Sequence, residues 1–305
     1  MRDFPSCFGE NGVQVSDASC SVVSGNKTSQ NSVTCIYKCK IFSKSCLVTI
    51  IWSKNLMGQC LSVEIDDDAS HKCLCKVDVK PSLFSKRKGS KCLEINTSKK
   101  IEVFWDLSLA KFGSGPEPLD GYYISIVFNK EMVLLVGDLK KEAFKKTGAV
   151  ASLYGSALVS KKEHISGKGV YGTKTQFCSN GRIHDVKIEC DVSWNDDPCL
   201  VVRVDSKPVM QIKHLHWKFR GNYTISVDGL PVEVFWDVRN WLFGSNLGNA
   251  VFLFRSSLSP EKTWGGQSVC DLTPVLSWSC SGSFREGADL PGLDFYLFLY
   301  AWRNE

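Results

Sequence analysis

Apolar and polar residues alternate with a period of two through most of the chain, which predicts strands rather than helices. Residues 33–41 and 46–52 are β-branched and aromatic and flank Phe42-Ser43-Lys44-Ser45, the pattern of a hairpin. Leu61-Ser62-Val63-Glu64-Ile65 is apolar at every second position. In residues 73–80, Cys75, Val77 and Val79 face one way while Lys76, Asp78 and Lys80 face the other. Residues 122–128 and 132–136, split by Asn129-Lys130-Glu131, form a further hairpin. Period two fails at 138–148, where Leu139, Ala143 and Phe144 stand at helical spacing among lysines and Gly148 supplies a stop.

One strand is written twice. Lys100-Ile101-Glu102-Val103-Phe104-Trp105-Asp106-Leu107 returns as Pro231-Val232-Glu233-Val234-Phe235-Trp236-Asp237-Val238. Each copy leads to a similar exit, Lys111-Phe112-Gly113-Ser114 and Leu242-Phe243-Gly244-Ser245. Other segments align in the same order: Leu200-Val201-Val202-Arg203-Val204-Asp205 on Leu61-Ser62-Val63-Glu64-Ile65-Asp66, and Val186, Ile188 and Cys190 on Val48, Ile50 and Trp52. The expected fold is all-β, with two tandem homologous antiparallel meander modules joined by a short helix. Each module of roughly seven strands closes as a barrel or folds over as a sandwich, because a flat sheet leaves its edges open. The expected division is a loose arm at 1–31, a first β module at 32–137 and a helical connector at 138–170. A second β module follows at 171–258, then an extension at 259–305 with a final strand near 295–302. Within the repeated strands, Ile101, Val103 and Trp105, and Val232, Val234 and Trp236, are placed in the cores. Phe104 and Phe235 lie between carboxylates on the outer face, where the other copy is a candidate cover.

Composition changes this picture little. The chain has 305 residues, 43% hydrophobic and 23% charged, enough for one large domain or two ordinary ones and unlike a disordered chain. A net charge of +5 does not by itself imply a nucleic-acid partner. The opening Met1-Arg2-Asp3-Phe4-Pro5 has no apolar stretch behind it, and no apolar run approaches membrane-spanning length. The expectation is therefore a soluble cytoplasmic or nuclear protein. There the fourteen cysteines serve as reduced, small apolar residues, with Cys35 and Cys39, and Cys73 and Cys75, each sharing a strand face. No CxxC pair occurs, so the strong zinc and redox signatures are missing.

Several clusters carry possible chemistry. Glu102 with Asp106, and Glu233 with Asp237, lie four residues apart on a strand, roughly 13 Å at about 3.3 Å per residue. A glycosidase pair needs about 5–9.5 Å, so only a pair across the two copies would serve. His214-Leu215-His216 on a strand would aim both rings at one face, but spacing selects no third zinc ligand from His164, His184 or a carboxylate. Surface or core histidines are the simpler reading. The basic turns are shared by both copies: Lys86, Arg87 and Lys88 before Gly89, and Lys218 and Arg220 before Gly221, with Lys213 nearby. Trp217 and Phe219 interleave with the second set, as a stacking surface for RNA or an anchor on acidic lipid requires. Lysines on hairpin turns also protect sheet edges from unwanted pairing.

The repeated Glu-Val-Phe-Trp-Asp strands are accompanied by Gly115-Pro116-Glu117-Pro118, Leu134-Leu135-Val136-Gly137-Asp138-Leu139-Lys140-Lys141 and Lys213-His214-Leu215-His216-Trp217-Lys218-Phe219-Arg220-Gly221-Asn222. With Trp52-Ser53-Lys54-Asn55-Leu56-Met57-Gly58 and the closing Tyr300-Ala301-Trp302, the chain resembles the plant proteins grouped as domain of unknown function 868, from about residue 31 to 302. The resemblance implies a plant source and assigns no active-site residues. No catalytic set, cofactor motif or metal site stands out. The expected role is non-enzymatic binding or scaffolding, with a small apolar ligand if the modules enclose a cavity. The alternatives are an anion, acidic-lipid or RNA binder using Lys86, Arg87, Lys88, Lys213, Lys218 and Arg220, or an enzyme with its site between the modules.

Overall fold

The computed structural model describes residues 32–41, 44–80, 87–96, 99–152, 155–178, 181–191, 198–244, 248–257 and 294–303. The arm expected at 1–31, and the extension from 259 up to its final strand, lie outside these residues. The fold is all-β. A four-stranded antiparallel meander opens it: β1 (Ser32–Ile41), β2 (Lys44–Asn55), β3 (Gly58–Asp67) and β4 (Cys73–Val79). The chain then enters a second sheet through β5 (Lys88–Asn96) and β6 (Lys99–Asp106). A small ladder of β7 (Lys111–Phe112) and β8 (Pro118–Asp120) intervenes before β9 (Tyr123–Phe128) and β10 (Glu131–Gly137) complete that sheet. Helix α1 (Lys140–Thr147) ends where the Gly148 N–H bonds Phe144 O with φ at 61°, a left-handed stop natural to glycine. Next come the short β11 (Val150–Ala151), parallel to β10, and the long β12 (Ala157–Gly167).

The second half also opens on a meander. An antiparallel meander of β13 (Val170–Thr175), β14 (His184–Asp191), β15 (Cys199–Val204) and β16 (Lys207–Ile212) comes first. It is followed by β17 (Arg220–Val227), β18 (Leu230–Asp237), helix α2 (Arg239–Phe243), β19 (Asn249–Ser257) and β20 (Asp294–Arg303). Two-residue turns with both φ values positive close several hairpins: Asn129-Lys130, Asp205-Ser206 and Asp228-Gly229. Their backbone twist matches that of the strands they join.

Three large sheets result. One has nine strands in the order β17-β18-β19-β20-β12-β1-β2-β3-β4; the others are β11-β10-β9-β6-β5 and β13-β14-β15-β16. Strict alternation of buried and less buried residues along β2, β18 and β20 shows one face of the nine-stranded sheet turned inward. One core joins Val33, Cys35, Val48, Ile50 and Ile65 of that sheet to Ile101, Val103, Ile124 and Ile126 of the five-stranded sheet. The other joins Val232, Val234, Phe252, Phe254 and Leu297 to Val186, Ile188, Leu200 and Val202 of the four-stranded sheet. Each half is thus two sheets face to face around its own core. The sheets do not close on themselves, so the barrel alternative falls.

The halves join by strand pairing. β12 pairs antiparallel with β1 and parallel with β20, which makes the nine strands continuous. The segment 138–170, expected as a helical connector, is helical only at 140–147 and contributes this central strand. Phe104 and Phe235 are half-buried, and the seam is built from β1, β12 and β20 rather than from the faces that carry them. Cys73 also departs from expectation. A bulge opposite Ile65 and Asp66 shifts the register, so Cys73 is exposed while Cys75 is buried. All ten described cysteines are free thiols, five of them buried. No helix among the described residues is long and apolar enough to cross a membrane.

The repeated strand shows the same local construction in both halves. Trp105 pairs with Gly89 and Trp236 with Gly221, and each indole lies over its glycine. A Cβ on Gly221 would meet Trp236 Cζ2 at 2.4 Å, and one on Gly89 would meet Trp105 Cζ2 at 2.6 Å. Lys88 Nζ reaches Asp106 Oδ2 at 2.6 Å, and Arg220 Nε reaches Asp237 Oδ2 at 2.7 Å. The other carboxylate oxygen accepts the N–H two residues on, from Ser108 or Arg239, at 3.0 Å in each. Trp236 is buried and its Nε1 donates to Lys218 O at 2.9 Å; Trp105 is half-buried. Trp236→Ala is expected to cost about 3–5 kcal/mol in urea denaturation, as truncation of a large core aromatic does. Gly221→Val should also destabilise, and by less in a Trp236→Phe background, where the clashing ring is gone. A loss under about 1 kcal/mol for Trp236→Ala would remove the indole from the core.

Candidate functional site

The nine-stranded sheet is faced by one sheet of five strands and another of four, and β12 lies where the two facing sheets meet it. Its inward face should be apolar, like its neighbours. Val33 and Cys35 on β1 and Leu297 and Leu299 on β20 are all buried. β12 instead presents Lys161, in register with Cys35 and Leu297, and Glu163, in register with Val33 and Leu299. Both are more than nine-tenths buried, at 8% and 6% exposure, so both need partners.

Lys161 Nζ reaches Glu163 Oε1 at 2.6 Å and Glu117 Oε2 at 3.2 Å, and donates to Lys174 O at 3.1 Å. Glu163 Oε1 also accepts from Thr173 Oγ1 at 2.5 Å. These residues come from three places: β12, strand β13, and the Gly113-Ser114-Gly115-Pro116-Glu117 loop between β7 and β8. Burial alone would lower the pKa of Lys161, but the charges of Glu163 and Glu117 outweigh it and hold the pKa above the ordinary lysine value. The Cys35 thiol is pushed up to about 12, chiefly by burial, with the Glu117 carboxylate adding to the effect. Tyr37 and Tyr122 are raised by burial first and then by neighbouring negative charge that includes Glu117.

Above this floor opens a cleft of about 860 Å³, lined by Val33, Cys35 and Tyr37 of β1, the 113–119 loop, β12, and the β13–β14 segment. Leu158, Ile165, Pro116 and Leu119 give it apolar walls. Thr175 lines it too; the residue is 4% exposed and its Oγ1 has no hydrogen-bond partner among the described residues. Beyond β14, buried His184 sits between Asp205 (Nδ1–Oδ2 2.9 Å) and Asp228 (Nε2–Oδ2 3.2 Å), with Arg182 bridging both aspartates. That cluster ties the β15–β16 turn to the β17–β18 turn and holds the facing sheets together at one end.

The residues expected to form a basic site fall on separate elements. Lys86 lies outside the described residues. Arg87 is exposed ahead of β5, and Lys88 opens β5, paired to Asp106. Lys213 and Lys218 are exposed in the β16–β17 turn, and Arg220 is paired to Asp237. Lys88 thus opens an edge strand of the five-stranded sheet, and Arg220 opens an edge strand of the nine-stranded one. Three of the four repeated carboxylates are paired to cations. Asp106 and Asp237 bind the cations just named, Glu233 accepts from Arg255 Nε at 2.5 Å, and Glu102 is half-buried. β6 and β18 lie in different sheets, so the two pairs do not share a strand ladder. His214 and His216 belong to an exposed turn, with His214 at φ 58°, and not to a strand. His164 stacks on Tyr300 at 4.7 Å. Among the described residues no three His, Cys, Asp or Glu side chains group to hold a metal ion.

Lys161, Glu163, Glu117, Thr173 and Thr175 had no signal in the sequence. Ser160-Lys161-Lys162-Glu163-His164 reads as a solvated connector until β1 and β20 close on either side of it. Lys161→Met should leave Glu163 buried without its cation and cost about 3–5 kcal/mol by chemical denaturation. Adding Glu163→Leu should recover most of that loss, since the two apolar side chains then continue the buried rows of β1 and β20. If the double variant is as unstable as the single, charge pairing is not what Lys161 supplies.

No curated protein and no solved structure matches the chain. A family model described as plant protein of unknown function (DUF868) matches residues 28–303, well over half of the sequence, and the chain belongs to that family.

Proposed function

We propose that the protein is a non-enzymatic binding protein that takes a small molecule into the cleft over β12. The observation that carries this reading is the buried Lys161–Glu163 pair at the foot of an 860 Å³ cleft. Sheet packing gives no reason for charge at that place. The volume falls in the usual range for small-molecule sites, with apolar walls and few polar groups. Binding is favoured over catalysis by protonation. The thiol of Cys35 and the ammonium of Lys161 are both held protonated, and neither form is a nucleophile. Two further elements belong to the proposal. The halves are copies of one module, 32–137 and 171–258, supported by the shared strand order and the paired Gly–Trp construction. The compartment is reducing, supported by ten free cysteines. An unbiased native mass-spectrometry screen on the purified protein should recover a ligand, and Ile165→Trp, which places a ring in the cleft, should abolish its retention. Undiminished retention by Ile165→Trp would move the site elsewhere.

A second reading attaches to the β16–β17 turn alone. Trp217 is 87% exposed there, beside exposed Lys213 and Lys218, and His216 and Phe219 contact the exposed Phe243. An indole in water among lysines suits an anionic partner. Trp217→Ala with Lys213→Ser and Lys218→Ser should weaken retention on single-stranded RNA or acidic vesicles at least tenfold at low salt, with the fold intact. Wild-type retention by this triple variant on both matrices would leave the lysines as protectors of a sheet edge.

A further inference from the structure

The floor of the cleft has spare acceptors and almost no spare donors. Lys161 Nζ has three N–H bonds and three acceptors: Glu163, Glu117 and the Lys174 carbonyl. Glu163 uses Oε1 for both Lys161 and Thr173, and Glu117 uses Oε2 for Lys161. Glu163 Oε2 and Glu117 Oε1 take no part in these contacts. Charge follows the same pattern, with two carboxylates against one ammonium. The surplus carboxylate is felt by Cys35, Tyr37 and Tyr122, for each of which the Glu117 charge adds to burial in raising the pKa. An independent feature points into the same space. Thr175 is on β13 two residues beyond Thr173, lines the cleft, is 4% exposed, and has an unpartnered hydroxyl. A buried hydroxyl without a partner costs free energy that a ligand polar group recovers. Lys174, Asp185 and Lys187 also line the cleft but are exposed, where solvent and salt screen them.

Resting on the cleft reading above, we infer that the ligand is an amphipathic amine: a protonated amino group held by Glu117 and Glu163, with Thr175 as a further partner, and an apolar body along Tyr37, Leu158, Ile165 and Leu119. An ammonium supplies the donors that the floor lacks and balances its charge. A carboxylate would instead have to displace Glu117 from Lys161, because all three lysine protons are in use.

The test is isothermal titration calorimetry with three probes that share an indole body: tryptamine, indole-3-propionate and 3-ethylindole. Tryptamine should bind at least tenfold more tightly than either of the others. Glu117→Gln, on a loop with its side chain one-third exposed, should lower tryptamine affinity at least tenfold and erase the discrimination, with the unfolding midpoint unchanged. Thr175→Val, which exchanges an unbonded buried hydroxyl for a methyl, should weaken tryptamine without loss of stability and serves if Glu117→Gln does not fold. Should indole-3-propionate or 3-ethylindole bind as tightly as tryptamine, and lose that binding in Ile165→Trp, the cleft reading stands and the amine inference falls. If no probe binds, the inference falls as well, and the mass-spectrometry screen judges the cleft by itself.

Discussion

The pairing of β12 with β1 on one side and β20 on the other is the interaction on which the rest depends. A sheet edge exposes a row of unpaired N–H and C=O groups, and each half on its own would leave one such edge at β1 or β20. β12 satisfies both, antiparallel to β1 from Ser32 to Lys38 and parallel to β20 from Tyr296 to Arg303. One nine-stranded sheet then backs two separate cores. Because the facing layer is two sheets and not one, the strand at the seam is flanked by cores without belonging wholly to either. A cleft at that place follows from the topology before any side chain is considered.

How much of this was legible follows from what alternation can encode. A period of two says which side chains of one strand share a face, so Ile101, Val103, Val232, Val234 and Trp236 were placed correctly in the cores. It says nothing about which strand lies alongside. β12 and β20 were therefore read as part of a connector and the end of an extension, although they are the middle of the largest sheet. Local irregularities were equally silent. The bulge at Ile65–Asp66 turns Cys73 outward, and the left-handed residue His214 takes His214-Leu215-His216 out of a strand and into a turn. The repeated Glu-Val-Phe-Trp-Asp text was legible, but its glycine partners were not. Gly89 and Gly221 lack a side chain because an indole occupies that space, which only the register shows.

The two halves agree where the fold needs them to and differ at the cleft. The Gly–Trp pair and the cation–aspartate pair recur with nearly equal distances. The cleft residues sit elsewhere. Glu117 belongs to the β7–β8 loop, and the corresponding stretch of the second half is helix α2, where buried Trp241 donates to Ala301 O at 3.0 Å and stacks on Tyr171. Lys161 and Glu163 lie on the one strand that serves both halves. The first exit carries Glu117 to Lys161, and the second carries a buried indole that packs on Tyr171.

Stability does not account for that floor. Moving the Lys161 ammonium and the Glu163 carboxylate out of water costs several kcal/mol per ion, and replacing such a pair with well-packed apolar residues is often neutral or stabilising. Leucine or valine on β12 would continue the rows formed by Val33 and Cys35 on one side and Leu297 and Leu299 on the other. The chain instead keeps Lys161 and Glu163, supports them with Thr173 and the Lys174 carbonyl, and brings Glu117 down from a Gly-Pro loop. Specifying the register of the seam is one use for buried charge, yet Glu163 alone satisfies the charge on Lys161. Among the described residues, the second carboxylate leaves the floor with two negative charges against the one on Lys161. That surplus is the feature on which the proposed binding of a ligand rests.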